Sequence, residues 1–153
     1  MDFIILYGSQ TGNCEQISYE LQNYIHENKI QTTIECKTLN EYVENINSNN
    51  LKNMIIICST TGNGDPPDNA YNFWRKIKNR SLKQTFIGTK YLVIGLGDSN
   101  YSNFCYMGKM INKRICELGG ERINDICIVD EVQDLEEEIE KVFKKIVSSI
   151  KSQ

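Results

Sequence analysis

Histidine is nearly absent from this chain: His26 is the only one, and the six cysteines contain no CxxC pair. A zinc cage therefore has no ligand set, and no metal ligand is assigned. Long apolar runs are missing as well, and no stretch approaches the roughly 20 residues that a membrane span needs. The N-terminus has no basic n-region, because Asp2 stands there and the apolar run stops after Tyr7, so no secretory signal is expected. No Lys or Arg precedes Lys29. The lysine of a triphosphate-cleaving loop is therefore missing from the first loop. Charge is close to balanced, with 17 Lys and Arg against 20 Asp and Glu in 153 residues, for a net of -3. That balance argues against a nucleic-acid surface. The expectation is a cytoplasmic, monomeric chain with a single domain over residues 1–153, large enough to bury one core.

The cysteines support this reading. Cys36, Cys58 and Cys127 fall inside strand-like runs and Cys116 on a helical apolar stripe, which predicts reduced core thiols. Cys14 is set apart, because the first turn of a helix lowers a thiol pKa while an anion bound at the same place raises it again.

Strand-like segments recur at Phe3 to Tyr7, Thr32 to Lys37, Met54 to Ser59, Lys90 to Leu96 and Arg122 to Val129. Between and after them run helical faces: Ile17, Leu21, Tyr24 and Ile25; Ala70, Phe73, Trp74 and Ile77; Met107, Met110, Ile111, Ile115 and Leu118; and Leu135, Ile139, Val142, Phe143, Ile146 and Ile150. Gly119-Gly120 reads as a C-terminal cap of the third helix, and the Asn-rich segment Asn40 to Asn53 as a short helix or loop. Alternating β and α patterns with near-continuous Ile, Val and Leu in the strands predict an α/β fold: a doubly wound, five-stranded parallel sheet of order 2-1-3-4-5.

Three polar loops follow the first, third and fourth strands, and in such a sheet they meet at one edge, where α/β proteins bind ligands. Gly8-Ser9-Gln10-Thr11-Gly12-Asn13 opens a helix and offers hydroxyl, amide and free backbone N–H donors, which suits a phosphate monoester held without a cation. Ser59-Thr60-Thr61-Gly62-Asn63-Gly64-Asp65 places two glycines where a flat ligand can approach the backbone. Asp65 and Asp68, flanking Pro66-Pro67, are positioned to cap the helix that carries Trp74. Gly97-Asp98-Ser99-Asn100-Tyr101, with Phe104 beyond, supplies a ring able to stack on a heterocycle.

These loops, together with Pro66-Pro67-Asp68-Asn69, Asn72-Phe73-Trp74-Arg75 and Met107-Gly108-Lys109, resemble the FMN loops and flanking segments of the flavodoxin-like domain of diflavin reductases. The iron-sulfur cluster assembly and methionine synthase branches are the most similar, sharing a threonine at Thr61 where many members carry tyrosine. The resemblance implies that Ser9, Gln10, Thr11, Gly12, Asn13 and Cys14 hold the FMN phosphate. Thr60, Thr61, Gly62 and Asn63 would run along the isoalloxazine edge. Leu96, Gly97, Asp98, Ser99, Asn100, Tyr101, Phe104 and Cys105 would supply the other wall, with Tyr101 stacked on the ring, and Asp130 is the last FMN-loop acid. No catalytic side chain is implied.

Electron transfer is the implied function: from a FAD- and NADPH-binding reductase module, expected in a longer parent because the chain ends at Gln153, to an iron-sulfur assembly or methionine synthase type acceptor. A first strand beginning at Phe3 is expected to leave no room for an upstream anchor. The acceptor is expected near Glu131, Asp134, Glu136, Glu137 and Glu138, since Ile123 to Glu140 holds eight acids and no Lys or Arg. A free-standing flavodoxin is the alternative. A receiver-like signalling module is the rival from another class, although the acids it needs at the first and third strand ends are replaced by Gly8-Ser9 and Ser59-Thr60.

Overall fold

A computed structural model describes residues 2–48 and 51–153; within the Asn-rich segment, Asn49 and Asn50 lie outside the described residues. The strands are β1 (Phe3–Gly8), β2 (Ile34–Thr38), β3 (Asn53–Ser59), β4 (Lys90–Gly97), β5 (Glu121–Arg122) and β6 (Cys127–Asp130). The helices are α1 (Asn13–Glu27), α2 (Tyr71–Ile77), α3 (Tyr106–Glu117) and α4 (Leu135–Lys151), with 3-10 turns at Asn40–Asn45 and Asp68–Ala70. All strand pairings are parallel, in the order β2-β1-β3-β4, and both β5 and β6 pair with β4.

Two-sided burial explains why the central strands show no alternation of apolar and polar residues. Phe3, Ile5 and Tyr7 of β1, Ile55 and Ile57 of β3, and Leu92, Ile94 and Leu96 of β4 pack with α1 and α4. Their neighbours in sequence, Ile4, Leu6, Met54, Ile56, Tyr91 and Val93, pack with α2 and α3 on the opposite face. Each such side chain contributes roughly 1.5–3 kcal/mol by leaving water. The edge strand β2 is only half-buried, and Glu35 pairs there with Lys37 and Lys52, each at 3.1 Å. Charges on an edge discourage pairing with another chain.

The predicted fifth strand is broken. Tyr91 pairs with Arg122 and Ile94 with Cys127, so Leu92 and Val93 face the four residues 123–126. The excess bulges out at Asn124, whose Oδ1 accepts the Asp125 N–H at 2.8 Å and whose Nδ2 donates to Ser149 Oγ of α4 at 2.9 Å. The cap of α3 is as predicted: Gly119 has φ +94°, and the Gly120 N–H donates to the Ile115 carbonyl at 2.9 Å.

α3 reaches β4 through two glycines, since a Cβ on Gly108 would stand 2.9 Å from the Gly95 Cα. Gly108→Val is expected to lower stability by about 1–3 kcal/mol in urea unfolding, because backbone cannot yield as a side chain does. Unchanged stability would show that the two backbones are free to separate.

Candidate functional site

The C-terminal ends of β1, β3 and β4 release the three loops side by side, because the crossovers from β1 and β3 leave toward opposite faces of the sheet. A cleft of about 360 Å³ opens there, lined by Ser59, Thr60 and Gly62 on one side, and by Gly97, Asp98, Tyr101, Asn103, Phe104, Cys105 and Glu131 on the other. That size is in the range of small-ligand sites. Tyr101 is 65 % exposed, so its ring is available to a ligand.

Long-range hydrogen bonds shape the walls. Thr60 Oγ1 accepts the Met107 N–H at 3.0 Å, so the second loop caps α3. Asn103 Nδ2 donates to the Asn63 carbonyl at 2.7 Å and closes the wall between the second and third loops. Thr61 and Asp65 exchange backbone hydrogen bonds, each 2.9 Å, around a turn in which Gly62 has φ +48° and Gly64 φ +107°. Positive φ is where glycine is needed. In the third loop the Asp98 carboxylate accepts the Asn100 N–H at 2.8 Å. Asp130 Oδ1 accepts the N–H groups of Ser99 and Val132, each at 3.2 Å. These bonds, that from Ser99 foremost, hold the Asp130 carboxyl below its usual range, and the residue serves as a loop anchor outside the cleft lining.

The first loop stands beside the cleft, and Ser9 to Cys14 do not line it. Ser9 Oγ accepts the N–H groups of Gly12 at 3.0 Å and Cys14 at 3.3 Å, which shapes the start of α1. Gly12 takes φ +87° at that start, and Thr11, Gly12 and Asn13 are exposed. N–H groups in the first turn of a helix have no acceptor within the helix and form an anion-binding end.

Several expectations need revision. Cys14 is fully buried, and burial pushes its thiol up to about 12, with the Ser9 hydrogen bond offsetting only part. It is not an activated thiol. Cys105 is likewise pushed up to about 12 by burial. Cys116 is exposed, because α3 buries Met107, Gly108, Ile111, Asn112 and Ile115, and position 116 falls off that stripe. Asp65 and Asp68 do not cap α2; Asn40 does, through Oδ1 on the Phe73 N–H at 3.1 Å. The Leu96 side chain points into the core, leaving only its backbone near the site. Glu131, expected on a docking patch, lines the cleft, while Asp134 caps α4 and Glu137 pairs with Lys141 at 3.4 Å. Asn103 and Asn40 gave no sequence signal, since each acts on residues far away in the chain.

The family model described as Flavodoxin matches residues 5–144. The chain belongs to the flavodoxin family. It is 36 % identical over 133 residues to the NADPH-dependent diflavin oxidoreductase 1 of Bos taurus, which covers 86 % of this chain and 22 % of that protein. It is also 36 % identical over 152 residues to the methionine synthase reductase of Caenorhabditis elegans, with 99 % of this chain and 22 % of the relative covered. The chain thus spans about a fifth of the length of these relatives. Among solved structures, oxidised flavodoxin 1 of Bacillus cereus has the same fold, with a TM-score of 0.81 at 20 % identity over 100 % of this chain and 99 % of the other.

Burial orders thiol reactivity in the native flavodoxin fold. An aromatic disulfide reagent at pH 8 is expected to modify Cys116 first, and Cys116→Ser should remove the fast phase. A fast phase that persists and maps to Cys14 would contradict its burial.

Proposed function

We propose that this chain is the FMN-binding electron-transfer domain of a diflavin reductase, receiving electrons from a FAD- and NADPH-binding module and passing them to a protein acceptor of the iron-sulfur assembly or methionine synthase type. The observation that carries this is the convergence of an anion-binding helix start, a glycine-permitted wall and an exposed tyrosine on one sheet edge. FMN, when bound, supplies one- and two-electron redox chemistry. The residues fit that group. Ser9 to Asn13 would hold the phosphate through neutral donors, Gly62, exposed on the cleft wall, would admit a planar ring against the backbone, and Tyr101 would stack on it.

Electrostatics favour onward transfer. Asp98 and Glu131 line the cleft and, among the described residues, no Lys or Arg does, so the two carboxylates disfavour added negative charge there, offset in part by Lys109 at 5.5 Å from the Phe104 ring. Glu136 and Glu138, near Asp134 at the start of α4, would steer a basic partner; Glu137 and Glu140 are partly satisfied by Lys141 and Lys144, at 3.4 and 3.3 Å. Free cysteines suit a reducing cytosol, and among the described residues no helix is long and apolar enough to cross a membrane. We read the chain as one monomeric domain. A free-standing flavodoxin is the second reading, since the family model described as Flavodoxin matches residues 5–144.

Apoprotein titrated with FMN should quench flavin fluorescence at one equivalent, and Tyr101→Ala should weaken binding by roughly two- to tenfold. The loaded domain should stay oxidised with NADPH alone and become reduced when a diflavin FAD module is added. Failure to take up FMN would reject both readings; reduction only by an unrelated flavodoxin reductase would favour the second.

A further inference from the structure

The turn at Asp68–Ala70 lies outside the cleft and grips the first loop by three hydrogen bonds. The Asp68 N–H donates to Gln10 Oε1 at 3.1 Å, and Gln10 Nε2 donates to Asp68 Oδ2 at 3.2 Å. One residue on, Asn69 Oδ1 accepts the Ser9 N–H at 2.9 Å. Asn40 fixes this turn from behind: its Nδ2 donates to the Asp68 carbonyl at 2.8 Å, and its Oδ1 accepts the Phe73 N–H at 3.1 Å. The joint has no slack, since a Cβ on Gly8 would stand 2.7 Å from the Ala70 Cβ.

An anion site without a cation depends on N–H groups that converge before the ligand arrives, because no charge attraction compensates for disorder. Residues 9–14 contain no Lys or Arg, so the orientation of this loop is what phosphate affinity has to draw on. The brace contacts the first loop and none of Thr60, Gly62 or Tyr101. Its effect is therefore confined to the phosphate end of a ligand.

We propose that Asn40, acting through Asp68 and Gln10, is a positioning residue for the first loop, and that this brace gives the site its preference for phosphorylated over unphosphorylated flavin. The proposal rests on the FMN reading above. Its test compares FMN with riboflavin, titrated by flavin fluorescence into apoprotein carrying Asn40→Asp, Asp68→Ala, Gln10→Ala or Asp68→Asn, with melting temperatures alongside. Asn40→Asp keeps the acceptor for the Phe73 N–H and loses the donor to Asp68, so α2 stays capped while the brace is cut. FMN affinity should fall about tenfold in Asn40→Asp, Asp68→Ala and Gln10→Ala, the effect of one or two hydrogen bonds. Riboflavin affinity should stay within about twofold of wild type. Asp68→Asn, which retains an acceptor for Gln10, should keep the wild-type ratio. Equal losses for both flavins, or an unchanged ratio in the three cutting variants, would overturn the brace. Wild type that prefers neither flavin would overturn it while leaving flavin binding intact, whereas wild type that binds neither would reject the FMN reading itself. Asp68 is exposed and lies outside the first loop, so the Asp68→Ala and Asp68→Asn pair still decides the matter where a core-side variant fails to fold.

Discussion

Because β1, β3 and β4 are covered on both faces, their backbone groups can be satisfied only by parallel ladders with one another and with β2, β5 and β6. That constraint makes their side chains apolar at nearly every position. It also sends every chain reversal to the sheet's ends, and it places polar residues there in loops. Parallel pairing puts equivalent ends together, so the exits of β1, β3 and β4 share one edge. The crossover from β1 through α1 and that from β3 through α2 then part to opposite faces, and the cleft opens at this edge between the loops that follow β3 and β4.

Loops so exposed have few apolar contacts to fix them, and here side chains from distant positions do so. Thr60 caps α3, Asn103 ties down Asn63, Asp130 holds Ser99, and Asn40 secures the turn that holds Ser9 and Gln10. Each bond contributes only about 0.5–1.5 kcal/mol, yet each fixes a backbone segment whose direction defines a wall. The glycines play the complementary part. Gly97 lets the third loop fold back, since a Cβ there would stand 2.9 Å from the Cys105 backbone nitrogen. Cys105 itself takes φ +54° at the start of α3, a left-handed conformation held by the packing around it.

Period and punctuation made most of the fold legible in the sequence. Helical stripes, glycine caps and continuous apolar runs are local patterns, and sheet order follows from them by the rule for doubly wound sheets. The broken fifth strand was not legible, because its two surplus residues appear only against the register of β4. Asn40 and Asn103 carry no period, and an asparagine in a polar segment reads as an ordinary loop residue. Cys116 was misplaced by a single step on α3, where one residue turns a side chain through about 100°. Within the site, Tyr101 and the glycines were visible by residue type, while Glu131 was hidden inside an acidic run of which Asp134, Glu136, Glu137 and Glu138 serve the start of α4.

The neutral character of the first loop gains meaning beside the acidic cleft wall. A phosphate held by lysine or arginine would bring positive charge within range of the ring, and at an effective dielectric of about 20 a unit charge 8 Å away shifts an electron's energy by roughly 2 kcal/mol. Neutral N–H and hydroxyl donors anchor a dianion without that field. In the proposed reading, Asp98 and Glu131 then act on charge arriving in the cleft, offset in part by Lys109, which lies 5.5 Å from the Phe104 ring. Anchoring and redox tuning are thereby assigned to different residues. Orientation of the first loop, maintained from Asn40, replaces what a cation would otherwise contribute to affinity.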